Sequence, residues 1–244
     1  YNNYTYKLKS TDEHLARGFA TLFSEKYEVT AKLANQIQDI AVIYEASLSE
    51  LTLFSSYLTE VEEAKEESAA IARMNISTYP FTSTEDASAY IIDKKPDCVI
   101  LFVSSHDAIE GMMRNTEDVG LHPYWMGEEN LLSSDFSSLE GRVDNKIIAL
   151  TSVERVTNPF FSFDAVESGE ISAVSEIQYG YDALMVVNNV IQSNGYSVEA
   201  IKNGLDNLRM VGLSGVISFD ETKTRYPSYD ILVWRGGDTG WEIM

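Results

Sequence analysis

The chain is short of cysteine, histidine and basic charge, and each shortage removes a class of function. One cysteine among 244 residues, Cys98, excludes an intrachain disulfide and any site built from several thiolates. It sits in the apolar run from Cys98 to Val103 and reads as a small buried hydrophobe. Three histidines form no zinc-binding pair. Eighteen basic residues against 38 acidic ones give a formal charge of −20, a surface that repels phosphate backbones, so nucleic acid is not an expected partner. No apolar stretch approaches the roughly eighteen residues needed to span a bilayer. No charged-then-apolar leader opens the sequence, which reads as a mature fragment. Internal repeats are absent, and with them the solenoid folds. A nucleophile elbow, a P-loop and a dinucleotide glycine fingerprint are all missing, so no enzymatic activity and no cofactor are expected. The turn at Gly236 to Gly240 is too short for a phosphate cradle.

What is present is an ordinary globular composition, 44% hydrophobic and 23% charged. Ser10 and Glu13 at capping-box spacing open a helix with Leu15, Phe19, Leu22 and Phe23 on one face. Ile40 to Tyr44 is short, apolar and β-branched, a buried strand. Leu51, Phe54, Leu58 and Val61 then recur at helical spacing between Ser49 and Ala64, with a solvated acidic run at the far end. The alternation of Ala72, Met74 and Ile76 with polar neighbours predicts a half-wet strand. A helix over Asp86 to Lys94 follows, ended by Pro96 before the strand Cys98 to Val103. Asp107 is the expected cap of the next helix, with Ile109, Met112 and Met113 inward and Gly120 as its left-handed stop. Tyr124 to Gly127 and Lys146 to Ser152 read as further strands, and Asn158-Pro159 as a crossing. A long helix through Tyr181, Leu184, Val187 and Ile191 stops at Gly195. A second helix, capped by Ser197, carries Ile201, Leu205 and Leu208 inside. The tail, Tyr229 to Trp234 and Trp241 to Met244, reads as a hairpin. Strands alternating with helices predict an α/β fold: an open parallel sheet covered on both faces, followed by a helical pair and a hairpin.

Several strings resemble the type I periplasmic binding proteins of the leucine/isoleucine/valine-binding kind. AVIYEAS, KKPDCVILFVSSHDA and DVGLHPYWMGEEN are similar to strand-and-loop signatures of that family's second lobe. YGYDALMVVNNV, IKNGLDNL, GLSGVISFDETKTR and SYDILVW look like its carboxy-terminal segment. The resemblance implies that residues 1–155 form the second ligand-binding lobe, that 156–222 belong to the first lobe, and that 223–244 form a terminal strand hairpin. It further implies that a domain's worth of chain, on the order of a hundred residues, precedes Tyr1 in the family. The helices from Tyr181 to Leu208 would then expose an apolar patch, which the fragment can cover by forming a homodimer.

Ligands of open parallel sheets bind beyond the carboxyl ends of the strands, which here are the loops Glu45 to Ser49, Ser104 to Asp107 and Glu128 to Asn130. By the resemblance, Ser49 and His106 stand where the family offers aromatic side chains, and Glu129 matches its ammonium-binding carboxylate. Glu129 is expected to face the cleft and Glu128 the solvent. Ser47, Ser49, Ser104, Ser105, His106 and Glu129 make up the expected ligand set. A charge-assisted bond from a carboxylate favours an amine-bearing ligand. The implied function is extracytoplasmic, non-enzymatic capture of an amino acid or related amine for an ABC transporter, with a membrane permease or a receptor as partner. Periplasmic or extracellular localisation follows, with a lipid anchor as a further expectation. The alternative is a ligand-sensing or protein-interaction domain of a receptor on the same fold.

Overall fold

The computed structural model describes residues 5–8, 12–23, 33–34, 36–134, 136–151, 171–221, 223–225, 230–236 and 240–243. The elements along the chain begin with α1 (Asp12–Thr21), β1 (Asp39–Tyr44), α2 (Leu48–Glu67), α3 (Ala69–Ala72), β2 (Asn75–Pro80), α4 (Thr84–Lys94) and β3 (Cys98–Phe102). Next come α5 (His106–Asp118), β4 (Tyr124–Gly127), 3-10 turns at Glu129–Ser133 and Ser137–Leu139, and β5 (Ile147–Thr151). The last are α6 (Ile171–Asn194), α7 (Val198–Asp206), β6 (Met210–Gly212), β7 (Gly215–Ile217), β8 (Asp230–Trp234) and β9 (Trp241–Ile243). These group into two units, 12–151 with 231–244, and 1–11 with 152–230.

The first unit is built on the sheet β2-β1-β3-β4-β5-β8-β9. Ile40, Ala41, Val42 and Ile43 of β1 are all buried, as are all five residues of β3, which is what a strand covered on both faces requires. β1 pairs in parallel with β2 and β3, with Ile40 opposite Ile76 and Cys98, and β4 and β5 extend the parallel array. Right-handed crossovers between these strands put α2 on one face and α4 with α5 on the other. Accordingly α1 packs on α2, and α4 packs on α5. β8 and β9 close the far edge as the expected antiparallel hairpin, with Trp234 opposite Trp241 and both rings edge-on to Phe136.

Local chemistry moved some boundaries. The strand expected from Ala72 starts at Asn75, because Ser68 accepts the Ile71 N–H (3.5 Å) and opens the extra turn α3. Ile71 and Met74 are then buried as turn residues, and β2 is a partly exposed edge. α4 begins two residues early, capped by Ser83, whose hydroxyl accepts the Asp86 N–H (3.1 Å). α5 is capped by Ser105, not Asp107: the Ser105 hydroxyl accepts from Ala108 N (3.3 Å), and Asp107 falls in the first turn. Ile109, Met112 and Met113 are buried, and Gly120 has the left-handed φ of 80° expected of it. Ser10 and Asn158-Pro159 lie outside the described residues.

In the second unit, α6 and α7 close on the β6–β7 hairpin through Val186, Val190, Leu208, Ile217 and Phe219. A buried polar knot ties α6 to that hairpin. The Asp182 carboxylate, fully buried, accepts the N–H groups of Leu213 (2.7 Å) and Ser214 (2.9 Å) and the Ser214 hydroxyl. Arg225, also buried, donates to Ser214 Oγ (2.6 Å), to Val216 O (2.9 Å) and to the Ser214 carbonyl. Leu184 and Val187 on the other side of α6 are 74% and 55% exposed, the apolar patch anticipated there.

Candidate functional site

The order of the sheet fixes where to look. The chain runs from β1 outward to β2 and then returns to β3 on the other side of β1, so the winding reverses between β1 and β3. Crevices beyond the carboxyl ends of strands at such a reversal are where open α/β sheets take ligands. Here that crevice is bordered by the loops after β1, β3 and β4.

These loops are stitched together by their own polar groups. The Glu45 carboxylate accepts both the backbone N–H (3.1 Å) and the hydroxyl (2.6 Å) of Ser104, and those two bonds hold its pKa below the usual range. Asn130 Nδ2 donates to the Val103 carbonyl (2.6 Å), joining the third loop to the second. Gly127 ends β4 where a Cβ would lie 2.8 Å from Leu131 Cδ1 and 3.2 Å from the Leu101 carbonyl, so only glycine lets the chain turn tightly into the 3-10 segment.

Several of the expected ligand residues already have intramolecular work. Ser104 bonds Glu45, Ser105 caps α5, and Ser47 caps α2 by accepting the Glu50 N–H (3.4 Å). Ser49 is exposed in the first turn of α2, and His106 is exposed at the start of α5. Glu129 opens the 3-10 turn and is half-buried. All six therefore lie on the three loops of one sheet edge or in the first turns that follow them.

The acid the sequence reading directed to solvent behaves otherwise. Glu128 Oε1 is shut off from water, and the side chain hydrogen-bonds Glu50. Its pKa is pushed up to about 8, first by burial and then by the charges of Glu50, Asp12 and Glu129. Burial also raises Glu50, whose Oε2 is likewise closed off. Burial and like charge together disfavour the doubly ionised pair. Glu128 turns inward because β4 runs directly into a 3-10 segment of which Glu128 is the N-cap, and its side chain meets that of Glu50 from the first turn of α2. Glu50 itself was missed, although Ser47 and Glu50 stand at capping-box spacing, which returns a Glu side chain toward the loop that starts its helix. Tyr44, at the end of β1, stacks on Phe54 with ring centroids 3.8 Å apart. Among the described residues no group of three His, Cys, Asp or Glu is arranged to hold a metal ion, and no helix is long and apolar enough to cross a membrane.

No family model and no curated protein matches the sequence. Solved structures do match. A leucine-binding protein from Thermotoga maritima superposes with a TM-score of 0.65 at 14% identity, over 99% of this chain and 67% of that one. An ABC transporter substrate-binding protein from Desulfitobacterium hafniense in complex with leucine gives 0.62 at 13%, over 98% and 67%. A solute-binding protein of an ABC transporter from Rhodopseudomonas palustris, in complex with 3,4-dihydroxybenzoic acid, gives 0.62 at 14%, over 93% and 62%. The chain spans about two-thirds of the length of each, and their ligands differ in kind. With its switch-point edge and its mainly parallel sheet, the chain has the fold of the type I periplasmic binding proteins of the leucine-binding kind.

Proposed function

We propose that the chain is the larger part of an extracytoplasmic solute-binding protein, which captures an amino acid or related amine without converting it and delivers it to the membrane permease of an ABC transporter. The observation that carries this reading is the reversal of winding between β1 and β3, with three polar, acid-bearing loops at the strand ends there, on a fold shared with solved solute-binding proteins. In this reading Glu129 receives the ammonium group, since a charge-assisted bond to a half-buried carboxylate is stronger than a neutral one. His106 and Ser49 line the approach, and the hydroxyls of Ser47, Ser104 and Ser105 contribute their remaining hydrogen-bonding capacity. Periplasmic or extracellular location, with a lipid anchor, belongs to the same proposal. The exposed Leu184 and Val187 support a covering partner for α6, either a further lobe or a second copy, and light scattering of this chain distinguishes the two.

Calorimetric titration of the intact protein with a panel of amino acids and amines tests the function. At least one member should bind saturably, and Glu129→Gln should weaken it by about tenfold or more, which is about 1.4 kcal/mol. A panel without a binder, or an unaffected Glu129→Gln variant, rejects the proposal.

A further inference from the structure

Glu50 and Glu128 come from different elements, the first turn of α2 and the end of β4, and meet carboxyl to carboxyl. Glu50 Oε2 and Glu128 Oε1 are both closed off from solvent with no N–H or hydroxyl donor on either, and the hydrogen bond the two side chains make is to each other. Among the described residues neither carboxyl forms an ion pair with a Lys, Arg or His. The other charges that face them are all negative: Asp12 from α1, Glu45 from the β1 loop and the adjacent Glu129. A buried polar atom without a partner needs an explanation, and for two carboxyls in contact the choices are a shared proton or a cation from outside. Each residue keeps a partly exposed flank at the sheet edge, so a small cation reaches the pair without unfolding of the lobe. The pair adjoins Glu129, the carboxylate given above to the ammonium group, so this sheet edge offers more negative charge than one amine neutralises.

We propose that the Glu50–Glu128 pair is a second cation subsite, which accepts a protonated amine of the ligand and releases its shared proton to solvent in exchange. The inference rests on the solute-binding reading above and narrows the ligand to diamines and basic amino acids. The exchange balances: one carboxylic acid O–H ionises, the proton goes to buffer, and the ammonium group keeps its own protons while bonding to two carboxylates.

The test is calorimetric titration of the intact protein with putrescine, lysine and leucine near pH 7, in two buffers of different ionisation enthalpy. Putrescine and lysine should release close to one proton and bind more tightly as pH rises toward 8, whereas leucine should release none. Glu128→Gln should keep leucine binding, abolish the proton release and weaken putrescine by about tenfold or more. Glu50→Gln should do the same, and it provides the comparison if the first variant folds poorly. Binding of putrescine without proton release, or equally well by both variants, overturns the subsite. Leucine binding with no response to putrescine or lysine also rejects the subsite while leaving the solute-binding reading intact. Failure of all three probes and of the wider panel removes both.

Discussion

Replacing Asp182 by Ala should remove the fastening between α6 and the β6–β7 hairpin. The native carboxylate satisfies two buried amides, Leu213 N and Ser214 N, and the Ser214 hydroxyl, and it faces the buried Arg225 through that serine. Without it each amide is left without an acceptor, at about 1–3 kcal/mol apiece. The Arg225 charge also loses its nearby negative partner, and breaking one side of such a buried arrangement costs about 3–5 kcal/mol in total. Asp182→Asn keeps one acceptor oxygen and should lose less, on the order of 1–2 kcal/mol. Trp125, Trp234 and Trp241 all belong to the sheet unit, so the reporter must be placed in the second one. Urea unfolding by circular dichroism, with hydrogen exchange at Leu213 and Ser214, reads the right region. A double-mutant cycle with Arg225→Met should show coupling, the pair losing less than the sum of the single losses. If Asp182→Ala stays within about 0.5 kcal/mol of the parent with unchanged exchange protection, the knot is not what holds the hairpin.

Two further outcomes follow from the sheet edge. Burial and the neighbouring carboxylates push Glu128 up to about 8 from an ordinary 4.5, so the folded state favours the extra proton between those limits. Its contribution is therefore fully present below about pH 4.5 and is lost as pH rises through 8; Glu128→Gln should flatten that decline and stabilise the protein above pH 8 by a few kcal/mol at most, measured as the urea midpoint against pH. Gly127→Ala places a Cβ 2.8 Å from Leu131 Cδ1 and should cost about 1–3 kcal/mol in thermal or urea unfolding; a neutral result would mean that Leu131 moves aside freely.

How much of this was legible depended on whether a residue's fate is decided locally. β1 and β3 were plain because continuous apolar runs fit a strand covered on both faces, and Ile40 to Ile43 and all of β3 proved buried. The start of β2 was misread because the alternation at 72, 74 and 76 fits a capped turn as well as a strand, and Ser68 decides between them through one hydrogen bond. The loops of the site could be located from strand ends alone, but not the direction of their acids. Glu128 and Glu129 are neighbours of identical chemistry, and that Glu128 meets another carboxyl could not be read locally, because Glu50 lies 78 positions earlier in the chain. Serines 47, 104 and 105 were read as available hydroxyls, whereas helix capping and Glu45 already engage them.

The solitary cysteine gives the fold a built-in clock. Cys98 begins the interior strand β3, is fully buried, and has its thiol pushed well above the ordinary range by that burial. A thiol reagent cannot modify it until the sheet parts around β3, since reaction requires an accessible thiolate. With no second sulfhydryl to compete, the labelling rate in a mass spectrometer counts openings of the lobe's innermost layer one molecule at a time. A bound solute that bridges the loops after β1, β3 and β4 should slow that count in proportion to its occupancy.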